Sequence, residues 1–495
     1  MRLLLGNDFF EARNGRASPV YYDTSKLTNG HMLILGSTGV GKSYRIINLL
    51  NQAVASGKKV RFHVFDVHGD LDIPGASTIE FSELSPYGLN PLMVNANPKF
   101  GSLRKTIQSF IRILNQTSPT NLGVRQEAVL RTLLLEVYKE YGFDPDVPAT
   151  WSLNEYDVEM VGGGNGNRVY LEVPFAEKAE VQKLGARWDG GKKHWWVYAD
   201  AYKGDLLKWK PAYKARTCPS VKDVLEHCKR LYNEMCMGSD QKAVRALEVS
   251  NKKAQAFQRK VMQAIRDRHF QEPDIETKLA LKEAGAIAIE AFTNYVNAIQ
   301  TGEELATLTK YDSAETIKSL QNRFENILGT GVFKEVPPKF DPECAVWRYH
   351  LNSLPNEQRK MFVLFKMEEL YYKAVERGIQ PDVVDVLVLD ELGTYCSSAD
   401  NDAGDGIIGV ICREARKYGM ALWGAHQEPD GVPTRLITAV GTKVILGLDE
   451  YYWKSAVTNL RIETKLLEWI RPRQTMAVQL KEVGALRNRW WWVQQ

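Results

Sequence analysis

The chain has 495 residues, of which 44% are hydrophobic and 25% are charged, and its formal net charge at pH 7 is +4. This is an ordinary globular composition with room for two to four domains, and so small a net charge neither favours nor excludes nucleic acid as a partner. No apolar run reaches the roughly 18 residues of a membrane helix, and the six cysteines form no C-x-x-C pair that would indicate zinc, so reduced thiols in a cytoplasmic protein are expected.

A glycine-rich loop between a strand and a helix is predicted near the start of the chain. Residues 1–35 read as short strands, and the last of these leads into eight residues that fit the pattern G-x-x-x-x-G-K-[ST]. Glycines allow backbone N–H groups to turn towards a polyphosphate, and the helix N-terminus adds positive potential. The lysine can reach the β- and γ-phosphates, and the serine hydroxyl can hold Mg²⁺. The sequence therefore predicts a phosphate site formed by Gly36, Ser37, Thr38, Gly39, Val40, Gly41, Lys42 and Ser43.

A second predicted strand, Val60 to Phe65, ends in a polar turn that contains Asp66, His68 and Asp70. Ligands of a parallel sheet bind at the carboxyl ends of its strands. These three side chains are therefore predicted either to face the nucleotide or to hold the loop by hydrogen bonds. Another strand is predicted at 78–81.

From about residue 100 the apolar spacing is helical, and it stays so, with breaks, to about residue 328. A glycine-rich segment, 154–167, predicts a flexible linker. The residues after it, 168–212, read as a compact domain of strands and a helix. Its tryptophans and tyrosines alternate with lysines and arginines, which indicates either a small core that needs large side chains or a platform for stacking bases. The basic stretch 242–269 is either a solvated helix face or a surface that faces DNA.

An apolar strand at 383–389 ends in the carboxylates Asp390 and Glu391. Beside a phosphate loop, such a pair predicts that Asp390 holds Mg²⁺ and that Glu391 orients and deprotonates the attacking water. Because Lys42 and Asp390 lie far apart in the chain, the helical block between them is predicted to be an insertion into one nucleotide-binding domain.

A helix at 406–418 carries Arg413 and Arg416 near its end, and the strand after it ends at Gln427. A glutamine at a strand end can sense the γ-phosphate or position the water. The arginines are either favourable charges at a helix carboxyl end or an arginine finger that completes the site of a neighbouring subunit. One more strand is predicted at 440–448.

Four of these segments together resemble the HerA–FtsK superfamily, and within it the conjugation-type ATPases, which are type IV secretion coupling proteins and their relatives. The segments are His31 to Leu35 with the phosphate loop, the turn from Asp66 to Asp70, the Asp390-Glu391 pair, and Arg413 to Gln427. The resemblance implies an α/β fold, with a RecA-like P-loop NTPase core, a large inserted all-α domain and a small α+β insert. It also implies a hexameric, Mg²⁺-dependent ATPase that translocates DNA in conjugation, type IV secretion or a related mobile-element process.

The resemblance assigns roles to individual residues. Lys42 and Ser43 bind phosphate and Mg²⁺, Asp390 and Glu391 carry out hydrolysis, and Gln427 acts as a sensor. Arg416 is favoured over Arg413 as the arginine finger, and the cofactors are ATP and Mg²⁺.

The expected domains are a first part of the ATPase core at 1–100, a mostly helical domain at 101–335, a small domain nested in it at 168–212, and a second part of the core at 336–495. The nested segment resembles a small domain of unknown function found in plasmid primase-like and DNA-processing proteins. Expected partners are DNA, further copies in a homohexamer and a relaxase or secretion-channel protein, with membrane contact only through a partner. Two alternatives stay open: an ATPase that acts on protein substrates, and a DNA-binding module whose ATP site only switches assembly.

Overall fold

A computed structural model of the chain describes residues 1–494 except 98, 119, 154–157, 161–167, 191, 199–200, 216, 238–240, 268–274, 299–310, 312, 330, 335 and 397–405. Of the predicted glycine-rich linker, 154–167, residues 154–157 and 161–167 lie outside the described residues, and Val158–Met160 form a short strand. In the described part of the chain, no helix has the length and apolar composition needed to cross a membrane.

The strands of the described residues are numbered in chain order: β1 Arg2–Asp8, β2 Pro19–Asp23, β3 Met32–Gly36, β4 Arg61–Asp66, β5 Ser77–Glu80, β6 Val158–Met160, β7 Arg168–Leu171, β8 Arg187–Asp189, β9 His194–Tyr198, β10 Tyr213–Ala215, β11 Val346–His350, β12 Asp385–Leu389, β13 Met420–His426, β14 Thr442–Gly447, β15 Thr475–Leu480 and β16 Trp490–Gln494.

The α-helices are numbered in the same way: α1 Phe9–Arg13, α2 Lys42–Ala55, α3 Leu103–Thr117, α4 Val124–Glu140, α5 Lys178–Lys183, α6 Val221–Met237, α7 Gln241–Asp267, α8 Ile275–Ala298, α9 Ala314–Leu328, α10 Asn356–Arg377, α11 Leu392–Tyr395, α12 Ile407–Glu414, α13 Thr434–Ala439, α14 Trp453–Leu460 and α15 Thr464–Leu467.

One 11-stranded sheet, in the order β2-β1-β16-β15-β14-β3-β13-β12-β4-β11-β5, dominates the fold. The seven strands from β14 to β5 are parallel, whereas β15, β16, β1 and β2 continue the sheet in antiparallel pairs. The central strands β3, β13 and β14 are buried along their whole length. Parallel strands that are covered on both faces read as continuous apolar runs, as these do. The predicted α/β fold is confirmed.

Aromatic side chains fill the core on both faces of the sheet. On one face Trp423 packs edge-to-face against Tyr22, at 5.6 Å between ring centroids, and donates a 3.3 Å hydrogen bond to its hydroxyl. On the other face Tyr349 stacks on Phe65 at 4.9 Å. This packing fixes the strands, and with them the loops at their carboxyl ends.

The chain forms two compact units. One comprises residues 1–121, 140–220 and 327–495, and contains the sheet; the other is helical and comprises 122–139 and 221–326. In the helical unit, α7 and α8 pack along each other, and Glu136 accepts a hydrogen bond from the Tyr311 hydroxyl. The basic side chains predicted at 242–269 that the structure describes are exposed on α7, namely Lys252, Lys253, Arg259, Lys260 and Arg266.

The small domain is a three-stranded antiparallel sheet in the order β7-β9-β8, closed on one side by α5. Its core contains Leu171, Val181, Val197 and Trp209. The α+β fold predicted for this segment is confirmed.

Candidate nucleotide-binding site

The phosphate loop joins β3 to α2 in a conformation that requires glycine. Gly39 and Gly41 have φ values of +83° and +104°, which are unfavourable for a residue with a Cβ. Lys42 folds back over the loop, and its Nζ donates to the carbonyl oxygen of Gly36 at 2.8 Å. The N–H of Ser37 donates to the carbonyl of Gly447 on β14 at 2.9 Å, which holds the start of the loop against the neighbouring strand.

Asp390 and Glu391 follow β12 at the same edge of the sheet. Asp390 is only 4% exposed. Burial raises the pKa of its carboxyl group, the carboxylates of Asp70 and Glu391 act in the same direction, and the charges of His68 and Lys42 oppose them. The interaction with Lys42 shows that the two motifs, far apart in the chain, lie together in the fold.

Glu391 has a left-handed backbone, with φ +59° and ψ +51°. A non-glycine residue in this region stores about 1–2 kcal/mol of strain, and such strain concentrates at functional sites. The conformation turns the chain sharply between β12 and α11. The two carboxylates therefore stay at the end of the strand rather than entering the helix.

Gln427 connects the phosphate loop to Glu391. Its Nε2 donates to Glu391 Oε1 at 2.7 Å, and its Oε1 accepts from the Thr38 hydroxyl at 3.2 Å. A side chain that touches both elements can report a change in one to the other, which is the geometry that a γ-phosphate sensor needs.

His426 lies beside the other carboxylate oxygen of Glu391, with 3.1 Å between Nδ1 and Oε2. Burial acts to raise the pKa of Glu391, but the contacts with His426 and Gln427 and the charge of Lys42 outweigh it and lower the pKa. The imidazole fits because Gly393 and Gly431 lie against it: a Cβ on either would come within 2.7 Å of the ring. Sequence reasoning gave no role to His426, although its place beside Gln427 at a strand end marks it.

The three polar residues of the turn after β4 have different surroundings. Asp66 is buried, forms an ion pair with Arg348 at 2.6 Å and accepts from the Gly69 N–H at 2.7 Å, so it holds the loop. Asp70 instead accepts a 2.7 Å hydrogen bond from the hydroxyl of Ser43. His68 is exposed and acts on Asp390 electrostatically.

The oxygen atoms of Ser43, Asp70 and Asp390 fit a magnesium ion. Asp390 Oδ1 is buried and has no hydrogen-bond partner among the described residues. Hydroxyl and carboxylate oxygens are the ligands that Mg²⁺ prefers, and a divalent cation would offset the repulsion between the neighbouring carboxylates.

Arg473 also contacts the phosphate loop, and no pattern in the sequence predicted a contact from this residue. Its Nη2 donates to the carbonyl of Gly39 at 3.2 Å. Its backbone is left-handed, with φ +63°, and the turn that contains it is closed by a 2.8 Å hydrogen bond from the Arg471 N–H to the Thr475 hydroxyl. No motif marks this residue, and only the pairing of β15 with β14 brings it to the loop.

The two predicted finger residues lie at the opposite edge of the sheet. Arg413 is in the last turn of α12, and Arg416 follows it in a 3₁₀ turn just before β13. The charge of Arg416 acts on His31, which directly precedes β3 and whose Nδ1 accepts the Leu422 N–H at 3.0 Å. This is the amino-terminal edge of parallel strands, whereas the phosphate loop follows their carboxyl ends. A finger role for either arginine therefore requires the site of a second copy.

The fold and this site are together those of a P-loop ATPase. Residues 11–150 match the protein family described as "Helicase HerA, central domain". The resemblance to the HerA–FtsK superfamily that the sequence predicts is thus confirmed. Residues 168–211 match a separate family, DUF5710, described as a domain of unknown function.

Among solved structures, VirB4 of Thermoanaerobacter pseudethanolicus matches with a TM-score of 0.53 and 16% identity, over 99% of this chain and 95% of that chain. At this identity the likeness shows the fold alone. The plasmid coupling protein TrwB in complex with ADP and Mg²⁺ matches with a TM-score of 0.44 and 10% identity, over 100% and 95% of the two chains.

Two curated relatives match short segments. A DNA primase TraC of Escherichia coli is 50% identical over 42 residues, which are 8% of this chain and 4% of that protein. An uncharacterized protein of Aquifex aeolicus, aq_aa31, is 39% identical over 51 residues, which are 10% of this chain and 19% of that protein. The chain therefore matches only a small part of either relative.

Proposed function

We propose that this protein is a Mg²⁺-dependent ATPase that assembles as a hexamer and translocates DNA, in conjugative transfer, type IV secretion or a related mobile-element process. The observation that carries the proposal is that Lys42, Asp390, Glu391 and Gln427 lie together at the carboxyl ends of the parallel strands. The family match to a helicase central domain supports nucleic acid as the substrate.

Each residue of the site has a role in this proposal. The loop 36–43 binds the phosphates, and its Lys42 neutralises charge on the β- and γ-phosphates. Ser43 and Asp390 would hold Mg²⁺, which would offset the negative charge of the phosphates. Glu391 accepts a proton from the attacking water, and its lowered pKa keeps it ionised at neutral pH.

Gln427 contacts both Thr38 and Glu391, so it couples the state of the phosphate loop to the catalytic carboxylate. Arg416, with Arg413 as the alternative, completes the site of the adjacent subunit in this proposal. Its own phosphate loop lies at the other edge of the sheet, so it does not act on its own site. A relaxase or secretion-channel protein as partner and the domain division at 1–100, 101–335, 168–212 and 336–495 belong to the same proposal.

The test is the ATPase rate of the purified full chain without DNA, with single-stranded DNA and with duplex DNA. A motor that moves DNA couples hydrolysis to it, so at least one form of DNA should raise the rate several-fold. Stimulation should fall steeply as salt rises, because phosphate contacts release counterions. The Glu391→Gln variant is the control that excludes a contaminating ATPase.

A chain that hydrolyses ATP at a rate that no DNA changes would contradict DNA translocation and favour the alternative, an ATPase that acts on protein. A chain that binds ATP and assembles without any turnover would favour an ATP-controlled assembly switch. These outcomes separate the three functions that the sequence leaves open.

A further inference from the structure

The two faces of the three-stranded sheet in the small domain differ in chemistry. Strand register places Val169, Leu171, Trp188, Trp195 and Val197 on the inner face, which packs against Val181 and Leu206. Trp188, on the edge strand β8, is 53% exposed and packs edge-on against Trp195. The same register places the other residues of the three strands on an outer face: Arg168, Tyr170, Arg187, Asp189, His194, Trp196 and Tyr198. On the outer face, Tyr170 and Trp196 are buried in a second cluster with Ala212. Arg168, Arg187 and Tyr198 stay exposed, and neither cluster accounts for them.

Two guanidinium groups are stacked over the outer aromatic rings. Arg168 Cζ lies 4.0 Å from the centroid of the Trp196 ring. Arg187 Cζ lies 5.7 Å from the Trp196 ring and 5.9 Å from the Tyr198 ring. Cation–π contacts of this kind hold guanidinium groups against aromatic rings without neutralising their charge. The cations are thereby positioned before any ligand arrives.

The outer face also leaves an aromatic surface accessible. Tyr198 is 45% exposed, and its ring packs edge-on against Trp196 at 5.1 Å between centroids. Trp196 itself is buried beneath the arginines, so its contribution is to hold them. An exposed tyrosine beside two guanidinium planes offers three flat surfaces on which unpaired bases can stack.

The charge of this face is positive. Arg168 and Arg187 are exposed, as is Lys192, whose Nζ lies 4.9 Å from the Tyr170 ring centroid. The one acidic residue placed on the face by the described strand register is Asp189, which accepts hydrogen bonds from the Tyr170 hydroxyl at 2.7 Å and from the Lys192 N–H at 3.1 Å. Across 168–211 the sequence has nine lysines and arginines against six acidic residues.

We propose that this outer face binds single-stranded nucleic acid. Bases stack on Tyr198 and on the guanidinium planes of Arg168 and Arg187, and the backbone phosphates pair with these arginines and with Lys192. The face is built within one contiguous segment of the chain and contains no residue of the ATPase site. The inference therefore goes beyond the motor function and does not depend on it.

The test uses the full chain without nucleotide and a fluorescein-labelled 20-mer of thymidylate, with binding followed by fluorescence anisotropy. Because Tyr198→Ala removes one stacking surface, it should weaken binding by about tenfold, within the factor of roughly 5 to 150 that one stacked base contributes. Arg187→Ala should weaken binding and reduce the slope of log affinity against log salt by about 0.7, because one phosphate contact is lost. Arg187→Lys keeps the charge but not the plane, so it should restore the salt slope and only part of the affinity.

The chain offers a matched control in the same domain. Phe175 is 83% exposed, and Lys178 Nζ lies 4.2 Å from its ring centroid, so this pair also combines an exposed aromatic ring with a cation. The pair lies at the start of α5 and not on the sheet. Phe175→Ala should leave affinity within twofold of the unchanged chain. Equal affinities for Tyr198→Ala and Phe175→Ala, with both proteins showing the thermal midpoint of the unchanged chain, would overturn the proposal.

Three unlabelled competitors, two single strands and one duplex, identify the ligand. Unlabelled 20-mers of deoxyuridylate and uridylate differ only in the 2′-hydroxyl, and comparable competition by both supports recognition of the bases and phosphates that they share. A 20-base-pair duplex should compete poorly, and a duplex that competes as well as the single strand would overturn the proposal, since paired bases cannot stack on the face. Binding with an unchanged ATPase rate would contradict only the motor function.

Discussion

The main sheet has an amino-terminal and a carboxyl edge, formed by the two ends of its parallel strands, and charged side chains are paired differently at the two. Asp385 begins β12 and Asp390 directly follows it, so the two aspartates stand at the two ends of one strand. Burial raises the pKa of Asp390 with help from neighbouring carboxylates. Burial acts on Asp385 in the same direction, but His63 and Arg377 outweigh it and lower the pKa.

The difference lies in the partners that each edge provides. At the amino-terminal edge, Arg377 pairs with Asp385 at 2.6 Å, and the amino group of Met1 pairs with Asp382 at 3.1 Å. At the carboxyl edge, Asp70, Asp390 and Glu391 are grouped, and Glu391 has a strained backbone. One edge therefore stabilises the sheet, whereas the other keeps like charges together at the expense of stability, as a site for a cation and a polyphosphate must.

The largest effect is expected from Glu391→Gln at the carboxyl edge. The amide keeps the size of the side chain but cannot accept the proton of the attacking water, so kcat for ATP should fall by about 10³- to 10⁴-fold while ATP binding persists. Steady-state hydrolysis together with equilibrium binding of a fluorescent ATP analogue measures both quantities.

Asp385→Asn is the matched control at the other end of β12. It removes the ion pair with Arg377 and should lower the free energy of unfolding by about 1–3 kcal/mol, with kcat within twofold of the unchanged protein. If Glu391→Gln kept its turnover, or if Asp385→Asn lost it, the contrast between the edges would fail.

Arg416→Ala should lower kcat by about 10³-fold, the lower end of the range for an arginine finger. This loss is expected although Arg416 lies at the amino-terminal edge of the sheet, away from the phosphate loop of its own subunit. Each Arg416 acts on a neighbouring subunit, so a mixture of Arg416→Ala and Glu391→Gln subunits should regain part of the activity. In such a mixture the Glu391→Gln subunits supply the intact arginine, and the Arg416→Ala subunits supply the intact carboxylate. Rates measured across a series of mixing ratios give the test. A mixture that is no more active than its inactive components would exclude a finger in trans, and the same series with Arg413→Ala tests the alternative residue.

Arg473→Ala should raise KM for ATP by about tenfold with little change in kcat, because the cation lies beside Gly39 on the phosphate loop rather than beside Glu391. Arg473→Gly removes the cation and also relieves the left-handed backbone, so a loss of affinity shared by both variants identifies the charge as the cause. Arg461 is also exposed and left-handed, with φ +52°, and Arg461→Ala is the control that should leave KM unchanged. An unchanged KM in Arg473→Ala would remove this residue from the site.

Much of this site was predictable because its main parts are contiguous patterns. The loop 36–43 carries its chemistry within eight residues, and Asp390-Glu391 directly follows an apolar strand, so each could be recognised without its partner. The small domain was also recognisable, because its strands pair with neighbours close in sequence.

The parts that could not be predicted depend on pairing between distant segments. Arg473 reaches the loop only because β15 pairs with β14, and the antiparallel extension by β16, β1 and β2 joins the two ends of the chain. The role of His426 depends on two glycines, Gly393 and Gly431, that make room for its ring. Patterns along the sequence identify residue types at a strand end, but they do not show which loops meet there.

The smallest effect concerns the amino-terminal edge, where His31 makes stability depend on pH. Burial lowers the pKa of His31 to about 4, and the charge of Arg416 acts in the same direction. Between that value and the ordinary pKa of about 6.5, the unfolded chain binds a proton that the folded chain does not, so stability is lost as pH falls through this window. Acidification from pH 7 to 5.5 should therefore remove about 1 kcal/mol from the free energy of unfolding through this residue.

His31→Asn keeps an acceptor for the Leu422 N–H but does not titrate, so its loss of stability over the same interval, measured by urea unfolding, should be smaller by that amount. Because the difference between the two proteins cancels the contribution of other buried groups such as His63, equal losses would show that His31 does not couple this edge to pH.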